Sequence, residues 1–181
     1  IIECGVFKGT SFSRFAMLRE LIGNTKKNKL VAFDVFSDDF PNTNFQNEKI
    51  QRSHWIKTAG GSSISTNQLD KIFKKKKIEN YELIKGDVLK TIPKYIKKNP
   101  KLKISLLNID IDFVETTQCV LDNFYDKVVK GGIVLFDNYQ GVGTGGTFYK
   151  GETETINKFL KKINKRIIKF PFFNRPSYII K

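Results

Sequence analysis

Three stretches of the chain hold residues whose types and spacing suit chemistry. The first is Glu3-Cys4-Gly5-Val6-Phe7-Lys8-Gly9-Thr10-Ser11, where a β-branched run gives way to helical periodicity. Glycine at such a turn lets the backbone approach a ligand closely, and the helix start offers unpaired amides to a carboxylate or phosphate. Glu3, Gly5, Gly9, Thr10 and Ser11 are the cofactor-binding candidates here. Gly5 and Gly9 stand four apart, without the G-x-G core of a dinucleotide fingerprint. A tight turn with no ligand explains the same residues. Asp34 closes a second β-type run, where an acidic side chain in doubly wound folds receives ribose hydroxyls. Together the loop and the acid point to an adenosine-containing cofactor. Asp87, after a third run, is placed to face an adenine edge or, equally, to cap the next helix.

The remaining stretches are Asn108-Ile109-Asp110-Ile111-Asp112 and Asp137-Asn138. Asp110, Asp137 and Asn138 supply two carboxylates and a carboxamide oxygen, hard ligands suited to magnesium. Helix caps and Asx turns are the other reading of these residues. Neighbours in a strand point to opposite faces, so Asp137 and Asn138 reach one ion only if the strand ends there and the chain turns. Tyr139 and the glycines from Gly141 onward suit that turn. Asp112 is expected to stand behind the ligands, because Glu115 and Thr116 suggest a helix start. His54, the only histidine, lies beside Trp55. Its ordinary pKa suits a general base at neutral pH, although a lone histidine in a polar loop is more often just exposed.

These residues need a scaffold that brings them to one edge. Short β-branched runs at 1–4, 29–33, 81–85, 104–109, 133–136, 166–170 and 177–180 alternate with helical patterns at 13–22, 66–76, 88–98, 116–129 and 152–163. That alternation predicts an α/β fold: five βα units, then an antiparallel pair, in a seven-stranded, mostly parallel sheet with helices on both faces. All three stretches then share the carboxyl edge, where ligands bind. The helix at 13–22 is expected to bury Phe15, Leu18, Leu21 and Ile22. Residues 37–65 are polar throughout and are expected to form one long irregular lid or substrate loop within a single domain spanning 1–181.

Composition bounds the function. With 40% hydrophobic and 28% charged residues the chain can bury a core and is not a disordered tail. No apolar run reaches membrane-helix length, so a soluble, cytoplasmic protein without a membrane partner is expected. Cys4 and Cys119 sit among apolar neighbours, as reduced core thiols do, which excludes zinc clusters. The net charge of +14 suits nucleic acid, an anionic surface or an acidic substrate, and equally a compositional bias toward lysine. Self-association is left open.

The segments E-C-G-V-F-K-G-T-S, A-F-D-V-F, N-I-D-I-D-F-V-E-T-T, V-K-G-G-I-V-L-F-D-N-Y and K-G-E-T-E-T-I-N-K-F resemble the macrolide-sugar O-methyltransferases of the macrocin and mycinamicin type, over residues 1 to 162. The resemblance implies the class I, Rossmann-like S-adenosylmethionine fold, with the cofactor's amino-acid end near Glu3, Gly5 and Gly9 and its ribose on Asp34. It also implies Mg2+ held by Asp110, Asp137 and Asn138. The family carries an Asp-Asp pair where this chain has Asp137-Asn138, and the asparagine is instead similar to catechol-type enzymes. The lysine base of those enzymes is absent, since Ile111, Asp112 and Phe113 fill the stretch. The activity implied by the resemblance is magnesium-dependent methylation of a hydroxyl on a small-molecule acceptor, a sugar (nucleotide-linked or not) or a similar polyol, with Asp110 as ligand and proton acceptor. One alternative is an RNA methyltransferase, favoured by the charge and by Phe172, Phe173 and Tyr178. Against it, no appended RNA-binding module is evident in the sequence and the N-P-P-Y loop is absent, so nucleic acid is not the expected partner. The other alternative is a non-catalytic nucleotide-binding domain of the same fold, against which the metal triad speaks.

Overall fold

A computed structural model of the chain describes residues 1–23, 25–38, 43–58, 62–141, 150–173 and 175–181. The β-branched and aromatic runs form strands β1 (Ile2–Cys4), β2 (Leu30–Asp34), β3 (Tyr81–Lys85), β4 (Ile104–Ile109), β5 (Val128–Phe136), β6 (Ile168–Lys169) and β7 (Ser177–Ile180). They join in one sheet of order β3-β2-β1-β4-β5-β7-β6. β1 to β5 run parallel, and β7 is antiparallel to both β5 and β6. This is the seven-stranded α/β architecture that the alternation of elements predicts, and the class I methyltransferase fold that the resemblance implies.

The helices are α1 (Thr10–Leu21), α2 (Gln46–Thr58), α3 (Thr66–Lys75), α4 (Val88–Lys98), α5 (Val114–Phe124) and α6 (Lys150–Lys162). Strand alternation divides the core in two. In β2, Val31 and Phe33 pack with Ile92 of α4, Phe124 of α5 and Ile156 of α6, whereas Leu30 and Ala32 pack with Phe12 of α1 and Leu69 and Phe73 of α3. The chain builds β1, β2 and β3 outward in one direction, then returns to lay β4 on the other side of β1. The loops leaving β1 and β4 therefore diverge and open a crevice at the carboxyl edge.

Three local expectations are corrected. α1 begins at Thr10 and buries Phe12, Ala16 and Arg19, while Leu18, Leu21 and Ile22 face outward and Phe15 is half-buried. The buried guanidinium of Arg19 donates to the carbonyls of Asn28, Glu79 and Asn80, so three loop carbonyls take the place of an apolar neighbour. The stretch 37–65 contains a four-turn helix, α2, rather than irregular chain throughout; residues 39–42 and 59–61 lie outside the described residues. α2 is invisible to an apolar pattern because it buries Glu48 and Gln51 while Ile50 and Ile56 are exposed. Finally, α5 stops at Phe124, and the Gly131-Gly132 pair, expected to precede a strand at 133–136, lies within β5, where the pairing with β4 shifts register. Gly131 takes a φ of 78°, which a bulge residue needs and a side chain disfavours. Among the described residues, no helix is long and apolar enough to cross a membrane.

Candidate active site

The site is assembled from strand ends. Cys4 pairs with Ile109, and Ile109 with Phe136. The ladder continues one step further, with the Asp110 amide donating to the Cys4 carbonyl (2.8 Å) and the Asp137 amide to that of Ile109 (3.0 Å). Asp110 and Asp137 are thereby neighbours at the carboxyl edge. β5 ends at Phe136, and the Gly141 amide donates to the Asn138 carbonyl (2.9 Å), closing the turn that Asp137 and Asn138 require. The Gln140 amide donates to Thr153 Oγ1 (3.0 Å) and the Tyr139 hydroxyl to Asn157 Oδ1 (2.7 Å), fastening the turn to α6.

Beside this edge lies a cavity of about 410 Å³. Its walls include Gly5, Val6 and Phe7 after β1, Asp34 at the end of β2, Gly86 and Val88 after β3, Asp110 to Phe113 after β4, and Asp137 and Asn138 after β5. α2 supplies Gln51, Arg52, Trp55 and Thr58, and Arg175 reaches in from the residues before β7. The Trp55 ring meets that of Phe7 edge-on, centroids 4.8 Å apart.

Asp34 is held by the loop it faces. Its Oδ2 accepts from the amides of Val6 (2.6 Å) and Phe7 (3.0 Å), and its Oδ1 from that of Phe36 (2.8 Å). A carboxylate has about four acceptor positions. Three are filled, so only Oδ1 keeps capacity for a ribose hydroxyl, and a two-oxygen grip on two hydroxyls is not available in this arrangement.

Asn138 stands at the centre of the acidic end. Its Nδ2 donates to Asp112 Oδ1 (2.7 Å) and lies 3.5 Å from Asp110 Oδ1, while its Oδ1 accepts from Arg175 Nη1 (2.8 Å). Burial, with Asp137 and Asp112 adding like charge, pushes the Asp110 carboxyl well above the usual range. Burial and Asp137 push Asp112 up to about 7, and burial raises Asp137 as well; the Arg175 guanidinium opposes all three shifts. Glu152, in the first turn of α6, is fully buried against the Asn138 side chain. Burial and the three aspartates raise its pKa far above the usual range. The crevice thus gathers four carboxyls whose charged forms burial disfavours, with the Arg175 guanidinium opposing the shifts of the three aspartates.

Several expected residues stand elsewhere. Glu3 is fully buried behind the loop, its Oε1 accepting from Asn108 Nδ2 (3.0 Å), and it does not line the cavity. Gly9 is the N-cap of α1, and neither it, Thr10 nor Ser11 reaches the cavity wall. Asp87 caps α4 by accepting from the Leu89 amide (2.9 Å), the capping alternative, while its neighbours Gly86 and Val88 line the cavity. His54 faces the outer side of α2 beside Lys49 and Lys57. Asp112, expected behind the ligands, lines the cavity directly. Sequence reasoning misses Arg175, Glu152 and Trp55 as parts of this site. Glu152 lies within a recognisable segment, but nothing local marks Arg175.

A parallel sheet with its crevice at the switch between β1 and β4, and carboxylates on two adjacent strand ends, is the arrangement of a class I methyltransferase fold. The apo structure of CalS11, a TDP-rhamnose 3'-O-methyltransferase of calicheamicin biosynthesis, is similar at 26% identity and a TM-score of 0.66, over 99% of this chain and 70% of that one. The O-methyltransferase NovP matches at 17% identity and a TM-score of 0.77, over 100% of this chain and 71% of that one. A putative rRNA methylase from Clostridium thermocellum shares the fold at 18% identity and a TM-score of 0.56, over 98% of this chain and 85% of that one. No curated protein sequence matches the chain. A model of the macrocin-O-methyltransferase (TylF) family matches residues 1–170, and the chain belongs to that family.

Proposed function

We propose that this protein transfers the methyl group of S-adenosylmethionine to a hydroxyl of a nucleotide-linked sugar, with a divalent cation such as magnesium at the acidic end of the cavity. The observation that carries the reading is the convergence of Asp110, Asp137 and Asn138 on one edge of a cavity whose other end is the Gly5–Phe7 loop and Asp34. Arg52 and Arg175 line the same cavity, where cationic side chains suit a diphosphate.

The donor set fits a hard cation. Burial raises the pKa of all three cavity carboxyls, Asp137 adds like charge to Asp110 and Asp112, and Glu152 adds a fourth, buried carboxyl. Among the described residues, no group of three or more His, Cys, Asp or Glu side chains is arranged as a metal site. A triad of two aspartates and one asparagine falls outside that description. Asp110, Asp137 and Asn138 would hold the ion, whose chemistry would be to lower the pKa of an acceptor hydroxyl. Asp110 would orient that hydroxyl and take its proton, and the spare acceptor position of Asp34 Oδ1 would receive a ribose hydroxyl. α2, with Gln51 and Trp55 in the cavity wall, would shield the reaction from water. The free thiols of Cys4 and Cys119 are compatible with a reducing cytoplasm.

The test is calorimetry with S-adenosylhomocysteine, with and without Mg2+, followed by methyl transfer to a panel of nucleotide sugars, free sugars and RNA. Binding of S-adenosylhomocysteine with Mg2+-dependent transfer to a sugar is the expected result. Transfer to RNA alone would replace the sugar reading, and no binding of S-adenosylhomocysteine would favour a non-catalytic domain.

A further inference from the structure

The contact between Arg175 and Asn138 works against the proposed role of Asn138. A guanidinium has only donors, so the atom of Asn138 at 2.8 Å from Nη1 must be the carbonyl oxygen. The NH2 group then points the other way, onto Asp112 at 2.7 Å and toward Asp110 at 3.5 Å. Chemistry on both sides fixes this orientation. In it the amide offers donors, not an oxygen, to the carboxylates.

Turning the amide over would present Oδ1 to Asp112 and Asp110, but would set Nδ2 against the guanidinium, donor to donor. The two side chains must then part. Arg175 is exposed and has solvent to withdraw into, and its stem rests on Gly141, where an added Cβ would stand 2.4 Å from Arg175 Cδ.

We propose that Arg175 is a positioning residue that lowers the divalent-cation affinity of this cluster, by holding the Asn138 amide with its oxygen turned away from Asp110 and Asp112. The proposal rests on the metal reading of the site. The guanidinium and the amide NH2 together balance the acidic end when no cation is present, and a cation binds only by displacing both. Displaced from Asn138, the guanidinium stands at the cavity wall, available to an anionic acceptor, which couples cation entry to acceptor binding.

The experiment is Mn2+ binding to the whole chain, without S-adenosylmethionine or acceptor, followed by electron paramagnetic resonance and calorimetry. The proteins are wild type, Arg175→Gln, Asn138→Ala, the double variant and Gly141→Ala, each checked for folding by circular dichroism. Arg175→Gln should tighten Mn2+ binding by about tenfold, because one charge-assisted hydrogen bond no longer opposes it. The same substitution on the Asn138→Ala background should change little, since no amide is left to turn. Gly141→Ala keeps the charge while pushing the stem aside, and should tighten binding in the same direction. Unchanged or weaker binding in Arg175→Gln overturns the proposal. So does equal tightening in both backgrounds, which would mean bare charge repulsion. If none of the five proteins binds Mn2+, the metal reading fails and takes this one with it, whereas binding with a flat cycle removes this one alone.

Discussion

The carbonyl oxygen of Asp110 lies 1.8 Å from the point where a Cβ on Gly5 would stand. The first loop and the end of β4 thus approach as closely as backbone can, and Gly5 also takes a φ of 89°. Two faults would strike one residue if it carried a side chain: a clash with backbone that cannot rotate away, and a disfavoured φ. This contact holds the loop against the acidic end of the cavity.

Gly5→Ala is therefore expected to destabilise the fold by more than about 3 kcal/mol, since backbone must move to admit the methyl group. Gly23→Ala, where the new Cβ meets nothing within 4 Å, isolates the φ penalty alone because Gly23 also has a positive φ, of 67°. Thermal melts of both variants check the difference; equal losses would show that the Gly5 contact is unimportant.

Glu3 gives a pH dependence with a definite sign. Burial raises its pKa from 4.5 to about 7, so the native state holds the proton more tightly than the unfolded chain. The stability associated with Glu3 is fully present below pH 4.5 and is lost as pH rises through about 7. Glu3→Gln keeps an acceptor for Asn108 without the charge. It should match wild type at pH 4.5 and exceed it by roughly 3 kcal/mol at pH 8, at 1.36 kcal/mol per pKa unit. Urea unfolding in the presence of chelator measures this, and parallel stability curves for the two proteins would refute it.

Asp34→Ala removes three amide-to-carboxylate hydrogen bonds from the loop as well as the spare acceptor on Oδ1. S-adenosylhomocysteine affinity should fall at least about tenfold and the melting temperature should drop with it. Titration calorimetry beside a thermal melt checks both. Unchanged affinity in a folded variant removes Asp34 from the cofactor site.

Activity should vanish in excess EDTA and return with Mg2+, and Asp137→Ala should resemble chelation, with kcat/KM reduced on the order of a hundredfold or more. Full turnover in EDTA would leave the acidic cluster to act through proton transfer alone.

Trp55, the only tryptophan in the chain, lines the cavity and touches Phe7. Its fluorescence should shift when S-adenosylhomocysteine binds, and the shift should be lost in a folded Asp34→Ala at the same ligand concentration. A spectrum indifferent to saturating ligand would place α2 apart from the cofactor.

The parallel sheet, its antiparallel closing pair and the acidic strand ends are legible in the chain because each depends on local pattern. β-branched runs of the right length, helical stops such as Asn99-Pro100 and turn residues after Phe136 are written within a few positions of where they act. Asp110, Asp137 and Asn138 can be grouped because parallel strands bring their carboxyl ends to one edge whatever lies between. The remaining decisions need the third dimension. α1 turns its apolar Leu18 and Leu21 outward because Arg19 finds carbonyls at residues 28, 79 and 80. α2 is anchored by Glu48, whose Oε1 accepts from the Val114 amide (2.6 Å) at the start of α5, where Phe113 has no side-chain cap to offer. Arg175 enters the cavity from 37 residues beyond Asn138, because β7 pairs with β5 and delivers its first residues to the same edge. A buried charge chooses its place by partners that are distant in sequence, and no local periodicity records them. Hydrophobic pattern sets the layers of this protein, whereas polar contacts between separate elements decide which side chains face the cavity and which way the Asn138 amide points.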